Sequence, residues 1–311
     1  MSTSILSISR STWIGKVSDF IELTKPRISV LVLVTVAVAQ YVAFVSHPIA
    51  GINRLVLMLH TLLGTLLVAA SASALNQWLE REQDAQMPRT AGRPIPAGRL
   101  RAFEVLLFAV LTIIAGTVYL GLLVNWLAAS WGLVTWFLYV WIYTPLKRNT
   151  AWNTAIGAVA GATPVFIGWT GSGAPLTLHA LALFLILFVW QFPHFMAIAW
   201  IYRQQYDQAG IKMLTVVDPS GSRAGRQAVV GAIMLLPISL LPVIAILMQQ
   251  TPSTGLITYA VAAVVLGLMQ LTAAYRFNKY LDERSARSLL RASLVYLPIL
   301  FAMQATSTSL L

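Results

Sequence analysis

Long uninterrupted apolar runs alternate along this chain with polar stretches of very unequal length. Nine runs are long enough to cross a hydrocarbon layer, at residues 28–46, 55–79, 102–122, 125–144, 152–170, 178–200, 228–248, 254–274 and 289–308. A bilayer core of ~30 Å takes about 20 helical residues. The runs are continuous rather than alternating, so they predict helices and not barrel strands. The expected fold is an all-α polytopic membrane protein, with about nine transmembrane helices bundled around one central cavity. Residues 1–27 are expected to form a cytosolic or interfacial arm, and residues 28–311 a single transmembrane domain.

Composition agrees with the pattern. Of 311 residues, 58% are hydrophobic and only 10% charged, and the mean hydropathy of +0.76 excludes an ordinary soluble domain. When loops are assigned alternately to two sides, every one of the 21 Lys and Arg residues except Arg54 falls on one side, together with all 10 acidic residues. The positive-inside rule then puts the N-terminus and the charged loops in the cytoplasm and the C-terminus outside. The formal charge of +11 reflects this topology and contact with anionic lipid, and gives no reason to expect nucleic acid. With no cysteine in the chain, disulfides, thiolate nucleophiles and thiolate-bound metals drop out. The first 27 residues carry Arg10, Lys16, Lys25 and Arg27 but no apolar segment with a cleavage site, so no secretory signal peptide is expected.

The stretch Asn76 to Pro96 places three acidic groups and three arginines at the end of an apolar run. Charge so close to lipid most often sets orientation, in a solvated loop. Here, however, Asn76 lies inside the apolar run, and Pro88 stops the helix soon after Asp84. Asn76, Glu80 and Asp84 stand at i, i+4 and i+8, which on a helix puts their oxygens on one slowly turning face. Glu82 points away from that face. Carboxylate and amide oxygens suit Mg²⁺, which is usually held by one or two carboxylates plus substrate phosphates. Arg89 and Arg93 supply forks that match phosphate oxygens. These residue types predict a metal-diphosphate site at a membrane surface.

Two long polar stretches, about 80–101 and 201–227, both continue directly from a span into Gly/Pro-containing, Arg-bearing segments, which suggests a weak internal duplication with one site between two helical halves. The short segment Tyr143-Thr144-Pro145-Leu146-Lys147-Arg148 brings two adjacent cations to the interface, either as topological anchors or as diphosphate contacts. In the sixth run, Trp190-Gln191-Phe192-Pro193-His194-Phe195 sets an amide and an imidazole into apolar surroundings, where polar groups face protein or a cavity. His60 lies near the opposite face and is read as structural, and His47 and His179 sit near the outer edge, far from the cation-rich side.

These segments together resemble the UbiA superfamily of intramembrane prenyltransferases, and within it the haem-modifying protohaem IX farnesyltransferase branch. The resemblance covers nearly the whole chain. It runs through Leu23-Thr24-Lys25-Pro26-Arg27, Asn76-x-x-x-Glu80-Arg81-Glu82-x-Asp84-x-x-Met87-x-Arg89-Thr90-x-x-Arg93-Pro94 and Tyr143 to Arg148. It continues through Gly157 to Trp169, Trp190-Gln191-x-Pro193-His194-Phe195 and Tyr206-x-x-Ala209-Gly210-Ile211-x-Met213-Leu214. The metal ladder points to the superfamily; the Met-x-Arg-Thr extension and the Trp-Gln-x-Pro-His-Phe segment point to the branch. Two positions depart from the family pattern. Glu80 stands where Asp is usual, and the Asp-Tyr pair of the second acidic motif is Gln205-Tyr206 here, with Asp207 one residue beyond. Either Gln205 coordinates through its amide oxygen, or Asp207 takes over, or the second metal site is weak.

The resemblance implies a UbiA-type bundle and farnesyl transfer from farnesyl diphosphate to a vinyl group of haem b, with water adding the hydroxyl and diphosphate leaving. Haem b is then a substrate and Mg²⁺ the cofactor. Asn76, Glu80 and Asp84 would hold Mg²⁺-diphosphate, with Lys147, Arg89 and Arg93 on diphosphate oxygens and Arg81, Arg148, Gln205, Tyr206 and Asp207 as further binding residues. Arg89 or Arg93 is alternatively a partner for haem propionates. Tyr143 would contact diphosphate or the allylic cation, and His194 would ligate haem iron or orient the acceptor. The implied setting is the bacterial inner membrane, with the site facing the cytoplasm and haem O passing to haem A synthase or a terminal oxidase. The rival readings are a related prenyltransferase with a quinone-ring or chlorin acceptor and, in another class, a membrane transporter. Charge at one surface rather than in broken helices near the midplane speaks against the transporter.

Overall fold

A computed structural model of the chain describes residues 13–248 and 253–309. Residues 1–12 of the expected arm, Arg10 among them, and most of the turn Gln249 to Ser253 lie outside the described residues.

The described residues are helical and contain no strand. The first half comprises α1 (Trp13–Leu23), α2 (Pro26–Ser46), α3 (Arg54–Leu79), α4 (Arg81–Gln86), α5 (Ala102–Leu123) and α6 (Trp126–Phe137), then a π-helical turn (Leu138–Tyr143), α7 (Thr144–Asn149), α8 (Asn153–Ala162) and α9 (Pro164–Gly171). The second comprises α10 (Leu178–Ile201), α11 (Arg203–Gln208), α12 (Leu214–Val217), α13 (Ser222–Ser239), α14 (Leu241–Leu247), α15 (Thr254–Tyr280) and α16 (Glu283–Ser309). α3 packs along α5 and α2 along α9; α10 lies against α13 and α16, α15 joins those two, and α16 returns to α2.

Among the described residues, eight helical stretches are long and apolar enough to cross a membrane. The expected span 152–170 differs from them: it is built from α8 and α9, broken at Thr163-Pro164. Pro164 has no N–H to donate and its ring crowds the carbonyl one turn earlier, so the helix restarts there. Helices in lipid gain little from excluding water and associate through close packing at small residues. At Gly168 of α9 an added Cβ would lie 2.2 Å from the carbonyl oxygen of Val36 in α2. Beside this contact, Trp169 is fully buried and donates its indole N–H to Pro175 O at 2.8 Å.

Local devices place the polar ends. α1 and α2 are separated at Lys25, which takes left-handed backbone angles (φ 50°, ψ 64°). Pro26 disfavours the right-handed helical region for the residue before it, and the turn is closed by Lys25 N–H donating to Glu22 O and Ser29 Oγ donating to Thr24 O. Gln77 of α3 donates to Leu23 O at 2.9 Å, and Arg99 bonds both Asp19 and Gly92 O, tying α1 to the polar segment after α4.

Candidate active site

The expected ladder is kept, but not on one straight helix. α3 ends at Leu79, Glu80 turns the backbone (φ −94°, ψ 7°), and α4 starts at Arg81. Terminal carbonyls of a helix need partners, and Arg81 supplies one by donating to Trp78 O at 2.8 Å with its guanidinium over the Trp78 ring. The i→i−4 bonds Glu80 to Asn76 and Asp84 to Glu80 survive the turn, so the three side chains remain on one side.

Each ladder residue meets a cation. Asn76 is fully buried; its Nδ2 donates to Thr144 Oγ1 at 3.0 Å and its Oδ1 accepts from Lys25 Nζ at 2.5 Å. Thr144 itself donates to Tyr139 O, the carbonyl that the π-helical turn leaves five residues back. The amide of Asn76 is thus fixed end for end by an irregular turn on another helix. Glu80 accepts from Lys147 Nζ at 2.6 Å, and Lys147 also lies 4.6 Å from the centre of the Tyr143 ring. Asp84, 1% exposed, accepts from Arg93 Nη1 at 2.5 Å.

Lys25, Glu80, Asp84, Arg93 and Lys147 feel one another's charge. Burial, then Arg93, pushes the Lys25 ammonium down to about 7. Burial works to raise the Glu80 carboxyl, but Lys147 and Lys25 overcome it and hold Glu80 below the usual carboxylate range. For Asp84 burial wins over Arg93 and the carboxyl is raised. A cavity of ≈ 370 Å³ opens beside Glu80, Gln83, Thr144, Lys147, Arg148 and Ile211. The backbone of Lys212 donates to Lys147 O at 2.8 Å, so the segment after α11 closes over the first half.

Other expected residues are placed differently. Arg81 is committed to the end of α3, and Glu82 is exposed beside Arg81 and Arg148. With its amide turned end for end, Gln83 accepts from the guanidinium of Arg148. Arg89 lies over the Tyr202 ring at 5.1 Å. Tyr206 packs with Met87 and Ile211, and burial raises its hydroxyl. Gln205 keeps Oε1 buried with no partner, whereas Asp207 is exposed. His194, part-buried on α10, sits 2.8 Å from Ser293 Oγ.

The sequence reading passed over Lys25, Thr144 and Gln83 as site residues. A further signal was present: Trp200-x-x-Arg203 repeats Trp78-x-x-Arg81. Arg203 donates to Trp200 O at 2.7 Å over the Trp200 ring, and Tyr202 (φ −106°, ψ 16°) turns the chain as Glu80 does. Aligned this way, Gln205 matches Gln83 and Tyr206 matches Asp84, so the second half carries phenols and amides where the first carries carboxylates.

The arrangement of helices is shared with solved structures. A digeranylgeranylglyceryl phosphate synthase aligns with a TM-score of 0.76 at 15% identity, covering 94% of this chain and 98% of that one. A UbiA homologue from Archaeoglobus fulgidus, solved with DMAPP and Mg²⁺, aligns at 0.65 and 17% identity, covering 94% and 100%. These define a UbiA-type membrane bundle. The UbiA prenyltransferase family matches residues 30–295, and the chain belongs to it. The protoheme IX farnesyltransferase of Solibacter usitatus is 43% identical over 289 residues, 92% of this chain and 97% of that protein. The chain is accordingly an enzyme, a prenyltransferase of the membrane.

Proposed function

We propose that the enzyme transfers a farnesyl group from farnesyl diphosphate to a vinyl group of haem b, with addition of water, giving haem O and diphosphate. The observation that carries the acceptor is the near full-length similarity to protoheme IX farnesyltransferases. The observation that carries the chemistry is the belt of paired charges beside a cavity.

Breaking an allylic C–O bond moves negative charge onto diphosphate, so the site must bind that charge more tightly as it develops. At an effective dielectric of ~20, a unit-charge contact at ~4 Å is worth about 4 kcal/mol before desolvation, so several must act together. Lys147, Arg93 and Lys25 are the cations at hand, and Arg89 stands nearby on Tyr202. Tyr143, held against Lys147, faces its π-cloud toward positive charge and suits the allylic cation. His194 belongs to the acceptor end. Among the described residues no three His, Cys, Asp or Glu side chains converge as a ready metal cage. The donors are two carboxylates and an amide, Glu80, Asp84 and Asn76, and the orphaned amide oxygen of Gln205 is a further hard donor. This set fits Mg²⁺ whose other ligands are diphosphate oxygens; when bound it supplies charge neutralisation of the leaving group. Of the open choices at the second motif, the reading favours Gln205 over the exposed Asp207. The site would face the cytoplasm of the bacterial inner membrane, with haem O consumed by haem A synthase or a terminal oxidase.

Mass-resolved haem analysis after incubating the detergent-solubilised enzyme with haem b, farnesyl diphosphate and Mg²⁺ tests the reading. A hydroxyethylfarnesyl haem that disappears without Mg²⁺ is expected. Diphosphate release with a quinone-ring acceptor and none with haem b would move the acceptor, and the absence of diphosphate release with any acceptor would overturn the farnesyl-transfer reading.

Lys25→Met is expected to raise the KM for farnesyl diphosphate about 10- to 100-fold, the range of a charge-assisted hydrogen bond of about 1.5–3 kcal/mol. Steady-state kinetics at saturating haem checks this; an unchanged KM would leave Lys25 a strut for Asn76.

A further inference from the structure

Two aromatic side chains of α10 are tied to one residue of α16. Ser293 is fully buried. Its carbonyl accepts from Trp190 Nε1 at 2.8 Å, and its hydroxyl oxygen lies 2.8 Å from His194 Nδ1. A serine hydroxyl has one proton to give, and Ser293 gives it to Leu290 O, 2.7 Å away and one turn earlier. The hydrogen between Ser293 and His194 therefore comes from the ring, so Nδ1 is protonated. A neutral imidazole protonated at Nδ1 carries its lone pair on Nε2.

The ring is also held in plane. Trp190 stacks on His194 with centroids 4.5 Å apart and planes 21° apart, and Phe195 meets its edge at 5.5 Å. Gly231 of α13 backs the preceding proline so closely that a Cβ there would lie 2.9 Å from Pro193 Cδ. Among the described residues none bonds Nε2, and the ring is only part-buried. The Trp-x-x-Arg repeat sets the depth: Asn76 lies three residues inside the end of α3 and His194 seven inside the end of α10. By helical rise that is about 6 Å further from the polar ends.

We propose that Ser293 is a positioning residue that locks His194 in the Nδ1–H form and presents the Nε2 lone pair to the iron of the bound haem. The inference rests on haem b being the acceptor. Metal-binding histidines commonly donate their other ring N–H to a fixed acceptor, which sets tautomer and orientation, and here the acceptor is in place before any porphyrin arrives. An axial bond to His194 would hold the iron at the level of that side chain, whose position on α10 is about one helical turn deeper than that of Asn76 on α3.

Haem b and iron-free protoporphyrin IX are titrated, without farnesyl diphosphate, into the solubilised full-length protein and three variants, with binding read from the Soret band and ligation from electron paramagnetic resonance. Wild type is expected to bind haem saturably with an imidazole-type signature. His194→Ala should lose the signature and regain it with added imidazole. Ser293→Ala should weaken haem about 10- to 100-fold, the usual effect of removing such a partner, and leave protoporphyrin IX unchanged, while Ser293→Thr keeps the hydroxyl and stays near wild type. Equal loss of haem and protoporphyrin IX in Ser293→Ala would reduce Ser293 to packing and overturn the proposal. Saturable haem binding with the same spectrum in wild type and His194→Ala would overturn the ligation alone, leaving the acceptor reading intact. No saturable haem binding by wild type would remove both.

Discussion

Asp84→Asn should lower diphosphate release by about 10²- to 10³-fold, the loss seen when one preorganised electrostatic contact to a developing charge is removed. The substitution is nearly isosteric, and an amide oxygen can still accept from Arg93. What disappears is one of the two carboxylates in the proposed metal set, the one that α4 carries into a buried position. The remaining carboxylate, Glu80, is already held by Lys147 at 2.6 Å. Single-turnover kinetics with a coupled diphosphate assay, run beside a thermal-unfolding curve, separates chemistry from folding. A folded variant with near wild-type release would remove Asp84 from the metal role and centre the site on Glu80 and Asn76.

Gly168→Ala should destabilise the bundle by about 1–3 kcal/mol, the usual cost of forcing an extra methyl group into a packed core. The new Cβ would meet Val36 O at 2.2 Å, Val36 C at 2.9 Å and Val36 Cα at 3.0 Å, all of them backbone atoms that no rotamer change can move. α2 or α9 has to shift instead. α2 begins just after Lys25, so turnover should fall along with the melting temperature. Gly92→Ala, where a Cβ meets nothing within 4 Å, is the matched control. Equal melting temperatures for the two variants would mean that α2 and α9 separate at little cost.

Most of this architecture could be read from the chain, because an apolar run of sufficient length has few alternatives in lipid. The span 152–170 was legible as apolar and not as two helices: proline is tolerated in membrane helices when neighbours satisfy the freed backbone groups, so Pro164 alone did not decide its own effect. Asn76, Glu80 and Asp84 were legible because helical spacing is a local property. Their partners were not. Lys25 reaches Asn76 from a left-handed turn before Pro26, and Thr144 from the end of a π-helical turn where both its backbone N–H and its hydroxyl donate to Tyr139 O. Both depend on backbone angles that residue types do not encode singly. That the amide oxygen of Gln205 is buried while Asp207 is exposed was likewise not written in the residue types.

The pairing of each ladder residue with a cation, Asn76 with Lys25, Glu80 with Lys147 and Asp84 with Arg93, also bears on how ligands enter. A lone Mg²⁺ would enter against the cations already held there, and a lone diphosphate would have to pull one from its carboxylate. A preformed magnesium-diphosphate salt does both at once: the metal takes the oxygens while the phosphates take the released ammonium and guanidinium groups. On the proposed reading, substrate capture is a double decomposition between two salts, one dissolved and one built into the protein, and its sum of charges scarcely changes as the membrane-edge site fills.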